Sequence, residues 1–396
     1  MPAHPVAMRH SCSSLLCRLF PLAGLLLAGF LAGPALAQGS RPDQVMWKNP
    51  RGDIKVDSGT VTENSLQRTL VETPGGPRER KSDLVERVIF GDVPTTFLDG
   101  TGYFDRGDFA NAAAKFKLAA GDANARPVVQ AHARLRAAQA LMRQGAVDPG
   151  AFAQARAEAE TFLADFPANR EVPAARLLQA RATRLGGNDK GAAELYRSLF
   201  MEGAGGTPTG GYDLADCHQA GLAAAAAFLA AGETAQAQEI YGTMNAALPE
   251  VLARLDAESP DRRIFLGLQS LARLGEGQVL LATGKAGQAK TFFDGQIKNA
   301  DINNPDLVYG AHLGLAESML AEGNHREAQL EFAFVSALDH VSRDRVARAL
   351  VGLAQCADSL HDSTSAADAK AWLQDVCAHY GDTPAVLRAQ EMLQGR

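Results

Sequence analysis

Histidine, cysteine and carboxylate side chains are the groups in this chain with the chemistry for catalysis or metal binding. No two histidines have the spacing of a metal-binding pair or of an H-E-x-x-H helix. Cys217 and His218 are adjacent, so on a helix they point to different faces. The glycine-rich stretch 203–211 lacks the Lys-Ser/Thr of a phosphate-binding loop, and no G-x-S-x-G elbow occurs. The sequence therefore predicts a protein that is not an enzyme and holds no metal or cofactor.

Three cysteines follow residue 37, and an odd number cannot form a closed set of disulfides. A helical hairpin turning near residue 362 would place Cys377 about 12 Å along its helix from the residue opposite Cys356. That distance is beyond disulfide reach. We expect Cys217, Cys356 and Cys377 to be mostly buried, unpaired thiols.

Arginine side chains form the clearest candidate binding surface. A guanidinium group binds a carboxylate through two parallel hydrogen bonds. Six arginines cluster in one part of an otherwise acidic chain: Arg134, Arg136, Arg143, Arg176, Arg181 and Arg184. The functional interpretation is a docking patch for an acidic peptide or chain terminus. The alternative is a solvated helix face with ordinary charges.

The elements that carry these arginines follow a repeated pattern. Five times a glycine is followed five residues later by alanine and nine residues later by an aromatic residue. The sets are Gly107, Ala112 and Phe116; Gly187, Ala192 and Tyr196; Gly232, Ala237 and Tyr241; Gly284, Ala289 and Phe293; and Gly323, Ala328 and Phe332. A small residue stands seven positions before each glycine and a large apolar one stands ten before. The glycine suits a turn between two helices, the alanine permits close helix contact, and the aromatic residue lies on the same face.

This pattern resembles the tetratricopeptide repeat (TPR) family. The first repeat has the fullest set of family positions: Gly100, Tyr103, Gly107, Phe109, Ala112, Phe116 and Ala119. The resemblance covers about residues 95–393, with looser repeats around Gly145 and around 361–363. It implies a mainly α fold, a TPR-like α-solenoid of about six to seven helical hairpins. The alternative is an alanine-rich helical bundle with accidental periodicity.

The resemblance also implies a groove, lined by the first helix of each hairpin, that binds a protein or peptide partner. Carrying the family's groove positions onto this sequence, together with the arginine cluster, gives a set of candidate partner-binding residues. They are Arg134, Arg136, Arg176, Arg181, Arg184, Leu229, Gln278, Leu281 and Leu320.

A different pattern precedes the repeats. Short runs of β-forming residues between residues 45 and 90 alternate with turn signals. They resemble, weakly, a small SH3 or Sm-like β-barrel, with Ser82–Val85 as the short turn before the last strand. The alternative is a looser β-meander packed on the first helices. We therefore expect a flexible lead-in over 38–44, a β-domain over 45–93 and a repeat domain over 94–396.

The first 37 residues have the three parts of a secretory signal peptide. Arg9 and Arg18 precede an apolar run of about fifteen residues, and Ala35-Leu36-Ala37 forms the cleavage site. The run is shorter than the roughly 20 residues of a membrane span, although a retained anchor is the alternative. Residues 1–37 hold two arginines and no acidic residue, so the formal charge of −6 becomes −8 after cleavage. Such a chain has no electrostatic reason to bind nucleic acid.

Two functions fit these features. The first is an exported protein of the periplasm or cell envelope, without a stable membrane span, whose repeats form a scaffold for protein–protein interactions. The segment Phe162–Asn169 resembles the aromatic-Pro linker of bacterial envelope TPR proteins and supports that location. The alternative is a module that binds cell-wall glycan or peptide through the β-domain, with Trp47 stacking on a sugar and the repeats acting as a spacer.

Export predicts a defined N-terminus. Mass spectrometry of the protein purified from the exported fraction should show a chain that begins at Gln38, with or without cyclisation of that glutamine. A chain that still begins at Met1 and stays with the membranes would contradict cleavage.

Overall fold

A computed structural model describes residues 41–49, 52–360 and 365–395. The predicted signal peptide, the start of the lead-in, the first two cysteines and the turn near 361–363 lie outside these residues. From Arg41 onward the chain forms one compact unit. Within the described residues, no helix has both the length and the apolar character needed to cross a membrane.

Five antiparallel strands form the N-terminal sheet. They are β1 (Asp43–Lys48), β2 (Ile54–Asn64), β3 (Arg68–Thr73), β4 (Gly76–Lys81) and β5 (Val85–Ile89). The sheet order is β4-β3-β2-β1-β5, and a 3-10 turn at Ser82–Leu84 precedes β5. Alternate residues point to one face, where Val45, Val61, Val71, Val85 and Val88 are buried. The turn lies where the sequence predicts the short turn of an SH3-like β-module.

Fifteen helices follow in the described residues. They are α1 (Thr95–Asp105), α2 (Phe109–Ala120), α3 (Pro127–Gln144), α4 (Gly150–Asp165), α5 (Val172–Leu185), α6 (Asp189–Phe200), α7 (Leu214–Ala230), α8 (Thr234–Arg254), α9 (Pro260–Ala282), α10 (Ala286–Lys298), α11 (Pro305–Ala321), α12 (His325–Leu338), α13 (Arg343–Leu360), α14 (Ser365–His379) and α15 (Ala385–Gln394). Consecutive helices pack in pairs, and each pair packs on the next. The arrangement is a TPR-like solenoid of seven hairpins and a terminal helix, which confirms the predicted fold class.

The signature glycines lie at the turns between the two helices of a hairpin. All five have positive φ angles, between 75° and 85°, a region that residues with a Cβ atom adopt only at a cost. They are Gly107, Gly187, Gly232, Gly284 and Gly323. Each glycine therefore lets the chain leave the first helix of its hairpin and start the second.

The signature alanines and aromatic residues lie at helix contacts. All five alanines are fully buried: Ala112, Ala192, Ala237, Ala289 and Ala328. The five aromatic rings are at most 6% exposed: Phe116, Tyr196, Tyr241, Phe293 and Phe332. Each pair lies on the second helix of its hairpin, four residues apart and thus on one face. The small side chain and the ring together form the contact surface of that helix.

The small residue before each signature glycine is needed for close contact. A Cβ atom added at Gly100 would lie 2.8 Å from the ring of Phe116, and one added at Gly277 would lie 2.4 Å from Phe293. Both distances are shorter than van der Waals contact, so a larger residue there would push the helices apart. In these two hairpins the first helix thus approaches the aromatic ring of the second along its bare backbone, whereas the other three hairpins have alanine at this position.

The predicted lead-in ends earlier than residue 44, since β1 begins at the buried Asp43.

The glycine-rich segment 203–211 lies between α6 and α7, and its ends are packed rather than exposed. Gly211 lies against the backbone of Leu66, where a Cβ atom would be 2.2 Å from the carbonyl oxygen, and Ala204 is only 7% exposed.

A buried ion pair fixes the sheet on the helices. Asp43, 1% exposed, receives hydrogen bonds of 2.7 and 2.8 Å from the guanidinium group of Arg126, the residue before α3. Its carboxylate also accepts bonds from the backbone amides of Val61 and Gly91. Burial alone would raise the pKa of Asp43, but the bonds from Arg126 and the two amides outweigh burial and hold it below the usual 3.8.

The α4–α5 linker strengthens the same junction. The amide of Leu66 donates to the carbonyl of Ala168, and the amide of Arg170 donates to the carbonyl of Asn64. The Arg170 guanidinium group donates to the carbonyl oxygen of Val85 at 2.8 Å. Backbone and side-chain bonds therefore join strands β2 and β5 to the second and third hairpins.

Overpacking a signature alanine should destabilise the array. Ala328→Leu places a larger side chain where Ala328 is fully buried, at an expected cost of about 1–3 kcal/mol in unfolding free energy. Leu330→Ala on the same helix is the control, because Leu330 is 73% exposed and should change stability by less than about 0.5 kcal/mol. Chemical denaturation measures both values. Equal stability of Ala328→Leu and the parent would contradict the helix contact.

Removing the charge of Asp43 should loosen the sheet. Asp43→Asn leaves Arg126 without its counter-charge, at an expected cost of about 3 kcal/mol at pH 7. Because the folded-state pKa of Asp43 is lowered, this stabilisation is complete above the unfolded pKa. It is lost as the pH falls through the folded-state value. Unfolding free energies of parent and variant, measured from pH 7 to pH 2, should therefore converge only in acid. If the difference in unfolding free energy between parent and variant stays the same from pH 7 to pH 2, Asp43 is not an ionised partner of Arg126.

Candidate functional site

A cavity of about 370 Å³ lies among the first helices of five consecutive hairpins. Its walls come from α5, α7, α9, α11 and α13, with Tyr196 and Tyr241 from the second helices. A neighbouring cavity of about 470 Å³ shares Arg184, Tyr241, Gln278 and Arg348 with the first and adds residues of α15. The two cavities together are called the inner channel below. It occupies the side of the array where the resemblance places the partner groove.

Four predicted partner-binding residues line the inner channel. Arg181 and Arg184 come from α5, Leu229 from α7 and Gln278 from α9. They lie on three consecutive first helices, which is what the repeat register predicts. That they bind a partner stays a prediction.

The other predicted residues lie elsewhere and have partners within the protein. Arg134 pairs with Glu158 at 3.3 Å, and Arg176 donates to Glu202 and to the Tyr212 hydroxyl. The Arg136 guanidinium group lies 4.4 Å from the ring centre of Phe104, and burial lowers its pKa. Leu281 and Leu320 pack, partly buried, against neighbouring apolar clusters. Arginine side chains are long enough to reach local partners, so their positions in the repeat do not determine where their charges lie.

The chain's own C-terminal segment closes one side of the inner channel. Asp382, in the α14–α15 loop, accepts hydrogen bonds from Arg181 and from Arg343, at 3.3 and 3.1 Å. Arg181 also donates to the backbone carbonyl of Asp382 at 2.8 Å. The adjacent Gly381 packs on Ala146, at the end of the second hairpin's first helix. The bond between Arg181 and Asp382 is not predictable from sequence spacing, because the two residues are 201 positions apart.

Carboxylates hold most of the arginines that face the channel. Arg345, with a side chain 7% exposed, pairs with Asp339 and Asp306 at 2.6 and 2.8 Å. Arg184 bonds to Asp189 through its Nε, and Arg348 bonds to Glu317 through one Nη atom. Arg345 is thus a structural ion-pair centre, whereas Arg184 and Arg348 each keep further N–H groups for a ligand.

Two tyrosines supply polar groups to the same channel. Tyr196 and Tyr241 are 5% and 6% exposed, and both line it. Burial raises the pKa of Tyr196 above its usual value and that of Tyr241 to about 12, despite the nearby arginine charges. Both side chains are therefore neutral phenols at physiological pH, able to donate hydrogen bonds.

Burial lowers the reactivity of the described thiols. Cys217, Cys356 and Cys377 are free, and burial raises the pKa of Cys217 to about 12 and that of Cys356 to about 11. Such thiols carry little thiolate, the reactive form, at neutral pH. No group of three His, Cys, Asp or Glu residues suited to a metal ion occurs among the described positions.

Trp47 is not free to stack on a sugar on both faces. The guanidinium carbon of Arg80 lies 3.9 Å from the ring centre, and the ring packs against the apolar core of the sheet. Arg80 is itself held by the buried Asp57 at 2.7 Å. The geometry favours a structural role for Trp47 over glycan binding.

Comparison with known proteins adds one structural likeness. No family model and no curated protein matches the chain. The chain is similar to the crystal structure of a tetratricopeptide repeat protein from Parabacteroides merdae ATCC 43184, at 14% identity and a TM-score of 0.49. The alignment covers 76% of this chain and 96% of that one. The repeat geometry of the chain itself, with its glycine turns, buried alanines and aromatic contacts, is TPR-like.

Proposed function

We propose that the chain is exported to the periplasm or cell envelope and acts there as a scaffold for protein–protein interactions. The observation that carries the proposal is the inner channel, because side chains from successive first helices meet there and present arginine, leucine and amide groups together. A stacked array of hairpins typically uses this surface to bind an extended segment of a partner.

The composition of the channel supports an acidic segment as the partner. Arg184 and Arg348 can each donate further N–H groups to a carboxylate, while Leu229 offers an apolar contact next to them. The segment that closes the channel already shows this chemistry, since Arg181 binds both the carboxylate and the backbone carbonyl of Asp382.

The proposed export, and the proposal that the partner is not a nucleic acid, rest on the sequence. The basic, apolar and small-residue parts of the first 37 residues support export. A formal charge of −8 after cleavage opposes nucleic-acid binding. We propose no catalytic role, because Cys217 and Cys356 are buried and the carboxylates of Asp189 and Glu317 near the channel serve in ion pairs.

Site-specific photo-crosslinking tests the proposal. A photoreactive residue replacing Leu229 should form a covalent adduct with a protein of the native envelope fraction, whereas one replacing Leu330 should not. Leu330 is a matched leucine, 73% exposed and outside the channel. Combining the Leu229 probe with Arg184→Glu should lower the yield, since the reversed charge opposes an acidic partner, and added salt should lower it further. Adducts from position 330 alone would place the partner surface elsewhere.

A further inference from the structure

The aromatic position of the repeat differs among the hairpins in a way that packing does not explain. It is phenylalanine at 116, 293 and 332 but tyrosine at 196 and 241, in two consecutive hairpins. All five rings are buried to a similar degree, so phenylalanine meets the packing requirement equally well. Packing therefore does not account for the hydroxyl groups of Tyr196 and Tyr241.

Neither tyrosine hydroxyl has a hydrogen-bond partner among the described residues, and neither is sealed from solvent. Both residues line the inner channel. Solvent is the remaining partner of such a hydroxyl, and a ligand atom that accepts a hydrogen bond can replace it. The arrangement therefore leaves two donors available in a cavity of ligand size.

Arginine side chains line the same cavity as these hydroxyls. The charges of Arg184 and Arg181 act on Tyr196, and those of Arg348 and Arg184 act on Tyr241. Arg184 thus influences both rings. Four side chains that line this cavity are called the tyrosine–arginine site: Tyr196, Tyr241, Arg184 and Arg348.

The lining of the cavity also includes apolar side chains. Leu222, Leu271, Leu274 and Leu313 line it, so a ligand bound at the tyrosine–arginine site would place its remaining atoms against hydrocarbon. Residues Asp382 and Pro384 close the cavity from the C-terminal side.

We propose that the tyrosine–arginine site binds the oxyanion of a small organic acid, a carboxylate or phosphate group attached to an apolar body. The hydroxyls of Tyr196 and Tyr241 donate to the anion, and the free N–H groups of Arg184 and Arg348 supply charge-assisted bonds. Asp344 also lines the cavity and opposes the anion. This site is a ligand site in its own right and does not depend on the channel receiving a protein partner.

Isothermal titration of the purified protein with three probes tests the proposal. The probes are 3-phenylpropionate, phenyl phosphate and the neutral 3-phenyl-1-propanol. At least one anion should bind saturably with one site per chain, and the alcohol should bind about tenfold or more weakly, the loss expected when a charge-assisted hydrogen bond is removed. The preferred anion distinguishes a carboxylate ligand from a phosphate ligand.

Three variants separate the site from general effects. Tyr196→Phe with Tyr241→Phe keeps the ring found in the other hairpins, so the fold should persist by circular dichroism while anion affinity falls about tenfold or more. Asp344→Asn removes a repelling charge and should strengthen binding several-fold. Arg254→Gln, at an exposed arginine outside the channel, should leave binding unchanged.

Four results would overturn the proposal. Three of them are the absence of saturable binding of either anion at about 10 mM, equal affinity in the double tyrosine variant, and weaker binding in Asp344→Asn. The fourth is binding of an acidic decapeptide without binding of either small anion, which would leave the protein-scaffold function intact. If the Leu229 photo-crosslink does not form but a small anion binds, the small-ligand proposal stands and the protein-scaffold proposal is contradicted.

Discussion

The structure depends on aromatic rings that touch neighbouring helices along nearly bare backbone. Phe293 shows the constraint most fully. A Cβ atom added at Gly277 would lie 2.4 Å from its ring, and one added at Gly314 would lie 2.3 Å from it. Gly277 belongs to the same hairpin and Gly314 to the next one. One ring therefore fixes both the pairing of helices within a hairpin and the stacking of hairpins on each other, and with it the row of first helices that forms the inner channel.

The sheet is fixed to this array by polar contacts of a different kind. Asp43 and Arg126 are joined by two hydrogen bonds at a buried position, and Arg170 reaches the backbone of β5. An ion pair of this kind contributes through orientation as much as through energy, because a buried carboxylate tolerates few alternative partners. The β-module is thus held in one position on the second and third hairpins.

Much of the fold was predictable because its determinants are local and periodic. The glycines, alanines and aromatic rings recur at fixed spacing, and the strands alternate in the usual way, so both were identified from sequence. The pairs Asp43–Arg126 and Arg181–Asp382 were not, since their members are 83 and 201 residues apart and no periodicity relates them. The candidate site was predicted in part for the same reason. Arg184 and Gln278 occupy channel positions set by backbone register, whereas Arg136 and Arg176 have side chains that reach local partners.

The contact between Asp382 and Arg181 changes the connectivity of the array. In a linear stack each hairpin interacts only with the two beside it, and the last one has a free outer face where fraying begins. Here the loop before the last helix is bonded to the third hairpin, so the C-terminal end has a second neighbour far away in sequence. Forming that contact requires closing a long loop, which has an entropic cost that grows only slowly with length. Opening of the last hairpin and loosening of the third are therefore coupled through this bond, and the C-terminal segment closes its side of the inner channel only while both hairpins are folded.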